Sequence, residues 1–175
     1  LYDAVLKDEI AARWRIAPYE FCTLQEFNEL KGKDNHYFLI TTKGQYKTES
    51  EPGLQFLTLV KGGKVAEGGI DEMLEIVSLP IASAEDPSGR ELTFLPAFIT
   101  ILQQYTQDSM AHDLNAYIGL SNYTKDLAST REMTIMVAEE DLDPMMSKET
   151  KEMYLTCGVE ATDTDTADKL LTTAA

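Results

Sequence analysis

The chain has 175 residues, of which 43% are apolar and 26% charged, a composition that excludes a disordered chain. Its 30 acidic and 15 basic residues give a formal net charge of −15, a field that repels phosphate backbones and anionic lipid. We therefore predict no nucleic-acid partner. No apolar run reaches the roughly 18 residues that a membrane helix needs, so we predict no transmembrane segment.

The amino-terminal third is predicted to form a helix, a strand and a second helix. Apolar residues spaced four apart indicate an amphipathic helix that ends near Arg15, because Pro18 cannot continue it. The apolar residues 19–22 predict a short strand. Thr23 and Glu26 then stand at capping-box spacing, which indicates the start of the second helix.

The middle of the chain is predicted to contain three strands and a long helix. Residues 37–42 form a nearly continuous apolar run, typical of a strand covered on both faces. Further strands are predicted at 55–60 and 75–81, the latter at a sheet edge because Pro80 lacks an N–H group. A helix is predicted over 96–110, with its proline in the first turn.

The remainder is predicted to alternate between strands and capped helices. Residues 112–130 are polar and irregular, and residues 133–138 indicate a buried strand. Ser147 is a candidate cap for the next helix. A short strand is predicted at 159–162, and Asp163 is a candidate cap for the last helix.

Two stretches of the chain follow the same order of elements. When Tyr19 is placed on Val159, Thr23 falls on Asp163, and each copy then reads helix, strand and capped helix. We predict an α/β fold with a mixed, partly parallel sheet, helices on both faces and two related helix-strand-helix units, although coincidence is the alternative. The expected organisation is a single domain, 1–175, with repeat units 1–43 and 133–175 around a central region 44–132.

The second copy ends before it reaches a counterpart of the strand that begins at Tyr37. A helix that crosses towards a missing strand leaves a βα unit unfinished. We therefore predict that the chain lacks a carboxy-terminal portion.

Few residues carry a signal of chemistry. His112 and Asp113 follow a predicted helix end, and Asp141 and Asp143 lie in a predicted loop. These four residues are the candidate ligand-binding cluster, and no catalytic residue is assigned. His36 precedes a strand and is interpreted as a loop residue.

Neither a metal site nor a cofactor is predicted. Counted from Asp141, a calcium loop would need Gly where Met146 stands. The stretch 62–64 (Gly-Gly-Lys) lacks the spacing of a phosphate-binding loop. Cys22 and Cys157 are far apart, which fits either reduced thiols or one long-range disulfide.

Several short segments resemble one group of proteins. The segments that carry the resemblance are 14–21, 26–27, 37–40, 78–81 and 140–142 with Pro144. They are similar to segments of uncharacterised envelope-associated proteins of Bacteroidetes-type bacteria. The resemblance implies an exported, periplasmic or envelope-associated protein, usually longer than this chain, and it supplies no reaction and no site residues.

Together these observations favour a non-enzymatic bacterial envelope or periplasmic protein that binds a partner protein or a small ligand. The alternative is a hydrolase or ligand-sensing domain whose site combines loop acids with His112. A further possibility is strand addition from another chain at the sheet edge near Val159.

Overall fold

The computed structural model describes residues 2–45, 47–111, 133–155 and 158–174. The chain divides into two compact units, Leu1–Tyr117 (unit 1) and Ile118–Ala175 (unit 2). The expectations of a single domain over 1–175, of the repeat and of a missing carboxy-terminal portion stay predictions.

Unit 1 combines helices with an antiparallel sheet in the order β1-β2-β3. Its main elements are α1 (Tyr2–Arg13), α2 (Leu24–Leu30), β1 (Tyr37–Gly44), β2 (Leu54–Lys61), β3 (Leu74–Ser83) and α3 (Leu95–Ala111). Short 3-10 helices occupy Lys64–Gly68, Ile70–Glu72 and Arg90–Phe94. The edge position predicted for the strand that contains Pro80 is confirmed.

One face of this sheet carries the main core. Leu57 of β2 and Ile99 and Leu102 of α3 are fully buried, and Ile10 of α1 packs into the same cluster. Burial of a leucine or isoleucine side chain contributes about 1.5–3 kcal/mol. The main core therefore joins α1 and α3 to both β2 and β3 of the sheet.

The opposite face carries a smaller core and a row of hydroxyl groups. Phe27 of α2 meets Phe38 of β1 edge to face, with ring centroids 4.9 Å apart. The buried Thr58 hydroxyl lies 2.9 Å from that of Thr42 and 2.7 Å from that of Ser78. Thr58 is only 3% exposed, so these two hydrogen bonds satisfy a polar group that burial would otherwise penalise.

One sequence prediction in unit 1 is wrong. The strand predicted at 19–22 is irregular in the structure, and Phe21 is 51% exposed beneath the ammonium of Lys7, 5.3 Å from its ring centroid. Strand β1, in contrast, has the predicted apolar cover on both faces, since Leu39 packs against the main core and Phe38 lies in the smaller one.

The local capping predictions are confirmed. The Thr23 backbone N–H donates to Glu26 Oε2 at 2.7 Å, and the Glu26 N–H donates to Thr23 Oγ1 at 3.3 Å. In unit 2, Ser147 Oγ accepts from the Thr150 N–H and Asp163 Oδ1 accepts from the Thr166 N–H.

Unit 2 follows the order β4 (Ile135–Ala138), α4 (Lys148–Tyr154), β5 (Val159–Thr162) and α5 (Thr164–Ala174). The strands β4 and β5 pair in parallel, and α4 lies between them in sequence, in keeping with the crossover connection that parallel strands need. The α/β class is thus confirmed. Within the described residues, however, parallel and antiparallel pairs lie in separate sheets and not in the single mixed sheet that was predicted.

The Gly62–Gly63 pair is a close-packed turn. The Gly62 N–H donates to His36 O at 2.8 Å and the Gly63 N–H donates to Lys31 O at 2.9 Å. A Cβ atom at Gly62 would lie 2.7 Å from Lys33 O and 2.8 Å from Lys31 O, closer than van der Waals contact allows. These glycines therefore dock the turn after β2 onto the loop before β1.

We expect Gly62→Ala to destabilise unit 1 by about 1–3 kcal/mol, because the added methyl group meets backbone atoms that cannot rotate away. Urea denaturation measures the change. Gly32→Ala is the matched control, since a Cβ atom at Gly32 meets nothing within 4 Å. Equal stability of the two variants would contradict the close packing at Gly62.

Candidate functional site

In unit 2 the carboxyl ends of the two strands lie at the same end of the sheet. The Ile135 N–H donates to Gly158 O at 2.7 Å, which sets the register that pairs Ile135 with Val159. Gly158 has a φ of 78°, a conformation that favours glycine, at the turn from α4 into β5. Open α/β sheets bind ligands beyond the carboxyl ends of their strands, so this end of the sheet is the candidate site.

Acidic residues follow both strands at this carboxyl end of the sheet. A 3-10 helix, Glu139–Asp141, continues β4, and Asp163 comes directly after β5. The Thr164 hydroxyl donates to Glu140 Oε2 at 2.8 Å, which ties the segment after β5 to the segment after β4. Sequence analysis did not single out Glu140, because this contact depends on the parallel pairing.

The predicted cluster is placed only in part. Asp141 and Asp143 are exposed in the segment after β4, and Asp143 Oδ1 accepts from the Met145 N–H at 2.8 Å in a tight turn. His112 and Asp113 lie outside the described residues, so their proximity to the two acids stays a prediction. In the part of the chain that the structure describes, no group of three metal-ligating side chains could hold an ion.

Asp163 is an ionised helix cap. Its carboxylate accepts from the Thr166 hydroxyl at 2.7 Å and from the Thr166 N–H at 2.9 Å. These bonds, the hydroxyl first, lower the pKa of Asp163 because they stabilise its charged form. The residue is thus engaged at the start of α5, as its predicted capping role requires.

An apolar pocket of about 280 Å³ lies beside the segment that follows β4. The residues that line it are Val137, Leu142, Met146, Lys151, Leu155 and Val159. Lys151 contributes its methylene stem, since the wall is formed almost wholly by apolar atoms. Sequence analysis missed this pocket, because its lining comes from separate segments of the chain. These are β4, the loop that follows β4, the α4 region and β5.

Cys22 is an exposed thiol in unit 1, and Cys157 lies outside the described residues. His36, interpreted as a loop residue, places Nδ1 2.8 Å from Asn35 Oδ1 and stacks on Phe38. These contacts support a structural role for His36.

Comparisons of the chain with protein-family models, curated proteins and solved structures gave no match. The resemblance to envelope-associated proteins therefore stays a prediction. No described helix has both the length and the apolar character needed to cross a bilayer.

We expect Thr166→Val to raise the pKa of Asp163 towards the usual range, because the variant keeps the backbone donor and loses the hydroxyl. Carbon-detected NMR titration of the Asp163 carboxyl group measures the change. Because the folded-state pKa is lowered, the cap stabilises α5 fully above the ordinary Asp pKa. Its contribution disappears as pH falls through the lowered value.

Thr172→Val is the control for this titration, since the Thr172 hydroxyl donates to the backbone carbonyls of Asp168 and Lys169. The Asp163 titration should be the same in this variant as in the parent chain. An unchanged Asp163 pKa in Thr166→Val would contradict the cap geometry.

Proposed function

We propose that this protein is a non-enzymatic binding protein of the bacterial envelope or periplasm, and that unit 2 binds an extended segment of a partner protein. The observation that carries the proposal is the exposure of apolar side chains among the described residues of unit 2. Of the hydrophobic side chains that are buried in the described residues, only Ala138 belongs to this unit. Its exposed apolar side chains are Met133, Ile135, Met145, Met153, Leu170 and Leu171.

Such exposure is unusual for a folded unit. A two-stranded sheet is marginally stable in water unless a third strand or a packed layer covers it. An added strand would bury part of this exposed apolar surface. A partner strand would supply both the missing hydrogen bonds and the missing cover.

The free edge of β5 is the proposed docking position. Since Ile135 donates to Gly158 O, the backbone groups of Gly158, Glu160 and Thr162 point towards β4. The N–H and C=O groups of Val159 and Ala161 therefore point away from β4, where the described residues provide no further strand.

The exposure of the two strands favours β5 over β4. Ala138 of β4 is buried, and α5 contacts β4. Glu160 and Ala161 of β5 are exposed. A segment that pairs with β5 meets the less obstructed edge.

We expect Ala161→Pro to abolish strand addition, because proline removes an outward N–H without removing a β4–β5 hydrogen bond. The probe is a library of random twelve-residue peptides displayed on phage and selected on the full 175-residue chain. Ala161→Val is the matched control, since it keeps the N–H group. Selected peptides should bind the parent chain and Ala161→Val, and lose at least about tenfold in affinity for Ala161→Pro.

Two outcomes would overturn the proposal. The first is that every selected peptide binds Ala161→Pro as well as it binds Ala161→Val, with the parallel β4–β5 ladder intact by NMR. The second is turnover on a panel of hydrolase substrates that disappears in His112→Ala or Asp113→Asn, which would favour the hydrolase alternative.

A further inference from the structure

We infer that the segment bound by β5 is an amphipathic strand in which apolar residues alternate with Lys or Arg. This inference rests on the proposed function and names the chemistry of the partner. It follows from what the two faces of β5 present to a neighbouring strand, and from the charge around them.

One face of β5 offers an apolar pocket. Side chains alternate along a strand, so Val159 and Ala161 share one face, and Val159 lines the pocket. Leu142 and Leu155 form further parts of the wall. The volume of about 280 Å³ falls just below the range of about 300–1,000 Å³ that is typical of small-molecule sites. It suits apolar side chains of a peptide better than a drug-sized ligand.

The other face of β5 offers negative charge. Glu160 is exposed there and has no ion-pair partner within the described residues. A Lys or Arg directly opposite Glu160 on an added strand would form a favourable cross-strand pair. An acidic side chain at that position would be repelled.

The surroundings of the edge have the same sign. Between residues 133 and 174 the sequence has ten acidic residues and three basic ones. The acidic residues are Glu139, Glu140, Asp141, Asp143, Glu149, Glu152, Glu160, Asp163, Asp165 and Asp168. Several of these acidic residues lie at the carboxyl end of the sheet, near which one end of an added strand would lie. Charge complementarity therefore selects a basic partner, and it would raise the association rate at low salt.

The test compares two designed eight-residue peptides, one alternating Val with Lys and one alternating Val with Glu, on the full chain at low and moderate salt. We expect the Lys peptide to bind at least about tenfold more tightly at low salt. Ala161→Pro should remove this binding, whereas general attraction to an acidic protein would survive the substitution.

The substitution Glu160→Lys reverses the charge that β5 presents to the added strand. It should weaken binding of the Lys peptide by about threefold to tenfold and strengthen binding of the Glu peptide. Glu67→Lys is the matched control, since Glu67 is an exposed acid of unit 1 and the change in net charge is identical. It should leave the preference between the two peptides almost unchanged.

The outcomes separate this inference from the proposed function. If phage-selected peptides depend on Ala161 but show no excess of Lys or Arg, and Glu160→Lys has no greater effect than Glu67→Lys, the inference is overturned and strand addition stands. If no peptide of either kind depends on Ala161, both are overturned.

Discussion

The burial of β2 is the constraint on which unit 1 depends. This strand has a neighbour on each side, and its two faces meet different layers. Leu57 and Leu59 pack towards α1 and α3, while Val60 packs with Phe27 and Phe38. Burial of β2 on both faces lets helices pack on both sides of the sheet, because each helix needs only one apolar stripe to dock. The buried Thr58 is compatible with this position since its neighbours on β1 and β3 supply hydroxyl partners.

Within its described residues, unit 2 has no strand in an equivalent position. Each of its two strands has one described neighbour, and four residues per strand give little area for a core. Its order is instead maintained by local hydrogen bonds, such as the caps at Ser147 and Asp163 and the bond between Thr164 and Glu140. Bonds of this kind fix where helices begin, but they bury no apolar surface. In the proposed function, the β5 edge and the pocket are where a segment of another chain binds.

The sequence predicted what depends on neighbouring residues and failed where distant residues decide. The Thr23 capping box and the strand at 159–162 follow from spacing within a few residues, and both are present. The strand predicted at 19–22 has suitable residues but no neighbouring strand to pair with in the described chain. Its failure is one of tertiary context, which overrides strand propensity. The pocket was missed for the same reason, because its walls converge only after β4 and β5 pair.

In the proposed function, the acidic character of the chain also opposes pairing of the β5 edge with a second copy of itself. Edge strands are templates for association, and charged side chains on the edge are a common protection. Two copies that paired through β5 would bring their Glu160 side chains and two chains of net charge −15 together. Repulsion of that kind acts against self-association and leaves a basic strand unopposed. The backbone groups of β5 would accept a second copy of this chain or a basic strand equally. The exposed Glu160 would discriminate between these two partners in favour of the basic strand.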